Sequence, residues 1–118
     1  MLLRDILNVL DAEVLTADGS ALDNTEILTA CGCDLMSDVL AFVKEQTMLM
    51  TGLINSQVIR TAEMMDIKAI CFVRVKSHAP EVVELANEKN IALLKTENSL
   101  YVSCGKLYEQ GIRGNTGA

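Results

Sequence analysis

The chain has 118 residues, enough for one ordinary domain and too few for two. Half of the residues are apolar and 22% are charged, which excludes an intrinsically disordered chain. The longest apolar runs hold about five residues, far fewer than the roughly 20 needed to cross a bilayer. Asp5 and Asp11 disfavour a signal peptide, and the net charge of −6 disfavours nonspecific binding to nucleic acid or acidic membranes. We therefore expect an acidic cytoplasmic domain.

The cysteines and the histidine are the residues most suited to metal binding or redox chemistry, and they are Cys31, Cys33, Cys71, Cys104 and His78. A structural zinc site usually needs four ligands in two close pairs, and only Cys31 and Cys33 are close in sequence. Cytosolic thiols stay reduced. The sequence therefore predicts packing thiols with no metal and no cofactor, and a redox or metal role for Cys31 or Cys33 is the open alternative.

Hydrophobic spacing in the first part of the chain predicts alternating helices and strands. Apolar residues at helical spacing predict a first helix over residues 2–10. Strands are expected over residues 13–16 and 27–31. Asp34 is interpreted as the N-cap of a helix over residues 35–45.

The strand–helix alternation continues to the end of the chain. The expected elements are a strand over residues 48–50, a helix over 57–66, a strand over 69–73, a helix over 80–89 that begins with Pro80, a strand over 91–94 and a helix from Ser99 to about Gln110. Asn55 or Ser56 can cap the helix over 57–66, and Asn90 can adopt the left-handed conformation at a helix end. The predicted domain covers residues 1–112, and residues 113–118 are expected to form a flexible tail.

Successive strand–helix units indicate parallel strands joined by right-handed crossovers. The predicted fold is a three-layer α/β domain with a mostly parallel sheet of about five strands flanked by helices.

Several common motifs for catalysis and phosphate binding are absent. The sequence holds no G-x-x-x-x-G-K-[ST], G-x-G-x-x-G, H-E-x-x-H or G-x-S-x-G. Basic residues are scattered among few aromatic ones, so no stacking surface for single-stranded nucleic acid is expected. An enzyme with a site on its loops remains an alternative.

Ligands of open parallel sheets bind at the carboxyl ends of the strands, where two loops here have suitable composition. In the loop over residues 31–38, Gly32 would let a ligand approach the backbone, while Ser37 and Asp38 offer polar contacts. The alternative is that Asp34 only caps a helix and Asp38 is a solvated acid in its first turn.

The second loop covers residues 51–57, and free amides at the following helix start favour an anion. The alternative for this loop is a capped turn in which Leu53 and Ile54 are buried in the core. The alternative for Arg74 and Lys76 is that they are solvated charges at the strand ends. The candidate ligand-binding residues of both loops and the nearby cations are Gly32, Ser37, Asp38, Thr51, Gly52, Asn55, Ser56, Arg60, Arg74 and Lys76.

Three segments, CGCDLMSDVLAFVKEQ, TGLINSQVIRTAEMMDIKAICFVR and IALLKTENSLYVSCGKLYEQGI, resemble the short stand-alone members of the DRTGG-domain family. The resemblance covers residues 3–113 and is most specific at residues 34–39 and 51–63. The residues that name the family, D-R after the third strand and T-G-G after the fourth, would fall near residues 54–55 and 73–75. This chain has none of those letters there.

The resemblance implies a regulatory or dimerising accessory domain without catalytic residues, similar to the non-catalytic N-terminal domain of HPr kinase/phosphorylase. We therefore expect a homodimer that senses a small anionic ligand such as a nucleotide. The resemblance also suggests an alternative, an adaptor for a redox enzyme such as a hydrogenase or an NADH-linked complex. A cysteine-based redox sensor and an unrecognised enzyme are further alternatives.

Overall fold

Six helices and five strands make up the described part of the chain, which in this computed structural model comprises residues 1–17, 19–42, 46–75 and 79–114. In chain order they are α1 (Leu3–Val9), β1 (Glu13–Val14), α2 (Ala21–Asn24), β2 (Thr29–Gly32), α3 (Met36–Phe42), β3 (Thr47–Thr51), α4 (Ser56–Met64), β4 (Ala69–Phe72), α5 (Pro80–Glu88), β5 (Ala92–Lys95) and α6 (Leu100–Glu109). None of the helices described has both the length and the apolar composition needed to span a bilayer.

The five strands form one sheet in the order β1-β5-β4-β3-β2. Strands β2 to β5 are parallel, and only β1 is antiparallel to its neighbour β5. Each parallel strand lies beside the next one along the chain, so right-handed crossovers place α3, α4 and α5 on the same face. Helices α1, α2 and α6 cover the other face. The predicted three-layer α/β domain with a mostly parallel sheet is confirmed.

Strand β3 shows why the central strands contain continuous runs of apolar residues. Met48 and Met50 pack toward α1 and α6, whereas Leu49 packs toward the helices on the opposite face. All three side chains are fully buried, as expected for a parallel strand with both faces covered.

Most predicted helix ends agree with the structure. The Asn55 side chain accepts a hydrogen bond from Val58 N at the start of α4, and Ser99 accepts one from Val102 N at the start of α6. Asn90 adopts the left-handed conformation after α5, with φ of 56°. Capping side chains and left-handed residues interact with the few residues next to them in sequence. Helix ends of this kind can therefore be predicted from sequence.

The interpretation of Asp34 as a helix cap is wrong. Helix α3 begins at Met36, and the Asp34 carboxylate accepts hydrogen bonds from Thr51 and Gly52 instead. Oδ1 of the carboxylate is used in this contact between two strand ends, and no hydrogen bond among the described residues joins Asp34 to the start of α3. The predicted last residues of this helix, 43–45, lie outside the described residues.

Backbone pairing with the sheet continues past residue 112, the predicted end of the domain. Ile112 is buried, and Ala30 N donates a 3.0 Å hydrogen bond to the carbonyl oxygen of Arg113, which pairs in parallel with Thr29. The backbone of Arg113 thus has a partner on the outer edge of β2. Residues 115–118 lie outside the described residues.

Gly32 is placed where α6 approaches the sheet most closely. A Cβ at this position would lie 2.5 Å from Cys104 Sγ and 3.3 Å from Leu100 Cδ1. Gly32→Ala should lower the free energy of unfolding by about 1–3 kcal/mol through overpacking, as measured by urea denaturation. The loss should shrink in a Cys104→Ala background, where the closest atom is gone. An equal loss in both backgrounds would contradict this packing role.

Candidate functional site

The loops that follow β2 and β3 lie side by side at the carboxyl edge of the sheet. Asp34 Oδ1 accepts hydrogen bonds from Thr51 Oγ1 at 2.7 Å and from Gly52 N at 2.8 Å. Thr51 Oγ1 in turn accepts one from Leu53 N at 3.1 Å. The carboxylate thus joins the ends of two neighbouring strands, as expected for successive right-handed βα units.

A cleft of about 560 Å³ opens at this edge of the sheet. Its described lining residues come from the segments that follow the four parallel strands, including the first residue of α6, and are Asp34, Gly52, Ile54, Val73, Arg74, Val75 and Leu100. Small-molecule sites usually occupy roughly 300–1,000 Å³ and combine apolar walls with a few polar groups. This cleft has that size and that mixture.

Asp34 and Arg74 supply the side-chain charges of the cleft lining. Arg74 is exposed and forms no hydrogen bond or ion pair through its guanidinium with any described residue. Asp34 uses Oδ1 for both of its hydrogen bonds, and Oδ2 has no partner within the described ranges. One cationic group and one carboxylate oxygen are therefore available to a ligand.

The backbone of Arg74 is left-handed, with φ of 58°, and its N–H donates a 2.9 Å hydrogen bond to Asn98 O. This conformation costs a residue with a side chain about 1–2 kcal/mol, whereas glycine adopts it freely. The T-G-G letters of the DRTGG domains that this sequence resembles would fall near residues 73–75. The turn thus has a conformation that suits glycine and carries a guanidinium.

The structure brings some of the predicted site residues to the cleft. Gly52 and Arg74 line it, and Thr51, which is fully buried, supports it through Asp34. Asn55 lies next to the lining residue Ile54 but uses its side-chain oxygen to cap α4, and Ser56 is the first residue of that helix.

Other predicted site residues lie elsewhere. Ser37 and Asp38 are exposed in the first turn of α3, and Arg60 is exposed on α4 between residues that face the core. None of these three lines the cleft. Gly32 contacts α6 as described above, and Lys76 lies outside the described residues.

Sequence reasoning missed Asp34 as a cleft residue and all of the apolar lining. Of the apolar residues, Leu100 follows β5, which is not adjacent in sequence to the two loops considered. Ligands of open parallel sheets bind at the carboxyl ends of the strands, and this rule applies equally to the segments after β4 and β5. Applied there, it would have identified Val73 and Leu100.

The cysteines favour packing over redox chemistry. All four are free thiols, and burial raises the pKa of the Cys31, Cys71 and Cys104 thiols. A raised pKa leaves less of the reactive thiolate at neutral pH. Among the described residues, no cluster of three or more histidine, cysteine or acidic side chains is arranged to hold a metal ion.

Burial raises the pKa of Cys71 from 9.0 to about 12, which makes stability depend on pH. The folded protein keeps the thiol proton where the unfolded chain loses it, so this contribution to stability falls as pH rises above 9.0. The stability advantage of the native chain over Cys71→Ala should shrink by about 1.4 kcal/mol between about pH 8 and about pH 10. Urea unfolding of both proteins at each pH measures it, and a constant difference would contradict the burial of this thiol.

Comparison with known proteins extends the description of the fold. No protein-family model matches the chain, and no curated protein sequence matches it. Among solved structures, it is similar to the CBS and DRTGG domains of the regulatory region of Clostridium perfringens pyrophosphatase, in complex with the activator diadenosine tetraphosphate. The TM-score is 0.72 at 15% sequence identity, with 98% of this chain and 49% of that chain covered.

The chain thus spans about half the length of the structure it matches. The likeness shows a DRTGG-like fold, and the resemblance seen in the sequence is confirmed at that level.

Proposed function

We propose that this chain is a non-catalytic regulatory domain of the cytoplasm that forms a homodimer and senses a small anionic ligand, such as a nucleotide, in the cleft. The region that it resembles regulates a pyrophosphatase and binds a nucleotide activator. That likeness supports a regulatory role, and the four free thiols suit the reducing cytoplasm.

Arg74 carries the proposal, because its guanidinium lines the cleft without an ion pair to any described residue. A guanidinium is suited to bidentate contact with phosphate or carboxylate oxygens. The first N–H groups of α4, at Ser56 and Gln57, have no intrahelical acceptors and lie just after the lining residue Ile54. A cation beside a helix start favours an anionic ligand.

The apolar part of the lining fits a base or another flat apolar group. Ile54 and Val73 contribute aliphatic surface from two loops, and Leu100 contributes it from the start of α6. A ligand with a charged end and an apolar end would therefore use both parts of the lining.

Replacing Arg74 tests the site. Arg74→Gly removes the cation and also relieves the left-handed strain, so it should weaken nucleotide binding by roughly tenfold or more while leaving stability equal or higher. Calorimetry with AMP, ADP, ATP and diadenosine tetraphosphate at low salt measures affinity, and thermal unfolding measures stability. Arg60→Ala, which removes the same charge outside the cleft, should leave affinity unchanged. Equal losses in both variants, or no binding of any nucleotide by the native chain, would contradict the proposal.

Gly52→Ala provides a steric variant of the same experiment. A Cβ at Gly52 would lie 3.8 Å and 3.9 Å from the Asp34 carboxylate oxygens and 3.9 Å from Val73 Cγ2, so the fold can accept it while the methyl enters the cleft. Binding should weaken without loss of stability. Gly19→Ala is the matched control, because a Cβ there has nothing within 4 Å.

The outer face of α6 supports the homodimer. Tyr101, Val102 and Tyr108 are 86%, 41% and 54% exposed, around Gly105. A Cβ at Gly105 would have nothing within 4 Å, so the packing of a single copy does not require glycine at this position. Glycine nevertheless costs a helix about 1 kcal/mol relative to alanine. An antiparallel pairing of two copies centred on Gly105 would bring Tyr101 of one copy beside Tyr108 of the other, as a twofold interface requires.

Light scattering at micromolar concentration should therefore give a mass about twice the chain mass of 12.8 kDa. Tyr101→Glu should produce monomers because it buries a charge in the interface. Met64→Glu, at another exposed apolar side chain on α4, should leave the dimer intact. A monomeric native chain would contradict the dimer and would favour the adaptor alternative for this surface.

A further inference from the structure

The two oxygens of the Asp34 carboxylate have different surroundings. Oδ1 accepts from Thr51 Oγ1 and Gly52 N and so joins β2 to β3. Oδ2 has no hydrogen-bond partner among the described residues, and Asp34 lines the cleft. The join between the strands uses a single acceptor oxygen, which a neutral asparagine would also provide.

The join between the strands therefore does not require the negative charge of Asp34, although the charge strengthens its two hydrogen bonds. In a cleft for an anion, a carboxylate repels the ligand unless the ligand offers it hydrogen-bond donors. A ligand with hydroxyl groups away from its charged end supplies such donors, and a charge-assisted hydrogen bond then offsets the repulsion.

The strand register places Asp34 and Arg74 on either side of Gly52. Extending the observed pairing places Asp34 level with Gly52, which follows β3, and Gly52 level with Val73, which follows β4. The backbone of Asp34 and the turn that carries Arg74 are thus separated by two interstrand spacings, or about 10 Å, and the Asp34 carboxylate reaches across part of that distance to Gly52 N. Gly52 lies between them and has no side chain to separate the carboxylate from the rest of the cleft. Inorganic phosphate has no hydroxyl groups apart from its charged end, whereas a phosphorylated sugar has hydroxyl groups that can donate to Asp34 while its phosphate contacts Arg74.

We infer that Asp34 is a specificity-determining residue of this cleft and that the ligand is a phosphate ester with free sugar hydroxyls, such as a ribonucleotide. Arg74 binds the phosphate, and Asp34 Oδ2 accepts hydrogen bonds from the hydroxyl groups. The inference rests on the proposed binding of an anion in the cleft and adds the chemical class of that anion.

The test compares AMP with 2′,3′-dideoxy-AMP, which lacks the ribose hydroxyls, by calorimetry on the native chain. AMP should bind about tenfold more tightly or better, the difference expected for a hydrogen bond to a charged group. Equal binding of the two probes by the native chain would overturn the inference without reference to any variant.

Asp34→Asn keeps the acceptor at Oδ1 and replaces the free oxygen with an amide donor. It should fold with a modest loss of thermal stability, because two hydrogen bonds lose a charged acceptor. It should abolish the preference for AMP, and leave binding of the dideoxy probe equal or tighter because a repelling charge is gone. Asp38→Asn, the same change outside the cleft, should keep the preference. A preference that survives in Asp34→Asn would overturn the assignment.

Pyrophosphate serves as a third probe, because it has no sugar hydroxyls and its binding would depend only on the Arg74 guanidinium. Binding of pyrophosphate that is lost in Arg74→Gly, together with equal binding of AMP and dideoxy-AMP, would overturn this inference and leave the proposed function standing. Failure of all three probes to bind the native chain would overturn both.

Discussion

The carboxylate of Asp34 holds together the part of the molecule on which the cleft depends. It accepts one hydrogen bond from a buried hydroxyl, that of Thr51, and one from the backbone at Gly52. Because β2 is an outer strand, its loop has a neighbouring strand of the sheet on one side only, and Asp34 bonds on that side. The join keeps this loop against the end of β3 and defines one wall of the cleft.

The opposite wall is attached in a comparable way to α1. Arg74 N bonds to Asn98 O, and the Asn98 side chain and Thr96 Oγ1 both donate to the carbonyl oxygen of Leu10. The left-handed turn of Arg74 is thus supported by the loop after β5, which is itself tied to the end of a helix on the far face. Support of this kind is what allows a residue with a side chain to remain in a conformation that glycine prefers.

The alternation of helices and strands, the helix caps and the class of the sheet were predictable because each depends on residues close in sequence. Asn55 caps the helix that follows it, and the centre of β3 and all of β4 are apolar because both of their faces are covered. Asp34 shows where such reasoning fails. Its local context suits a cap, whereas its partners lie 17 and 18 residues away. The apolar lining was missed for the same reason, since Leu100 reaches the cleft only through the order of the strands.

The pairing of Arg113 with Thr29 has a consequence for self-association. Open strand edges are templates for uncontrolled growth into aggregates, and proteins commonly shorten or cover them. Here β1 closes one side of the sheet with only two residues, and the backbone of Arg113 occupies part of the other side along β2. Within the described residues little unpaired strand edge is left to recruit another chain, which favours helix surfaces for ordered assembly and disfavours amyloid-like growth along the margins of the sheet.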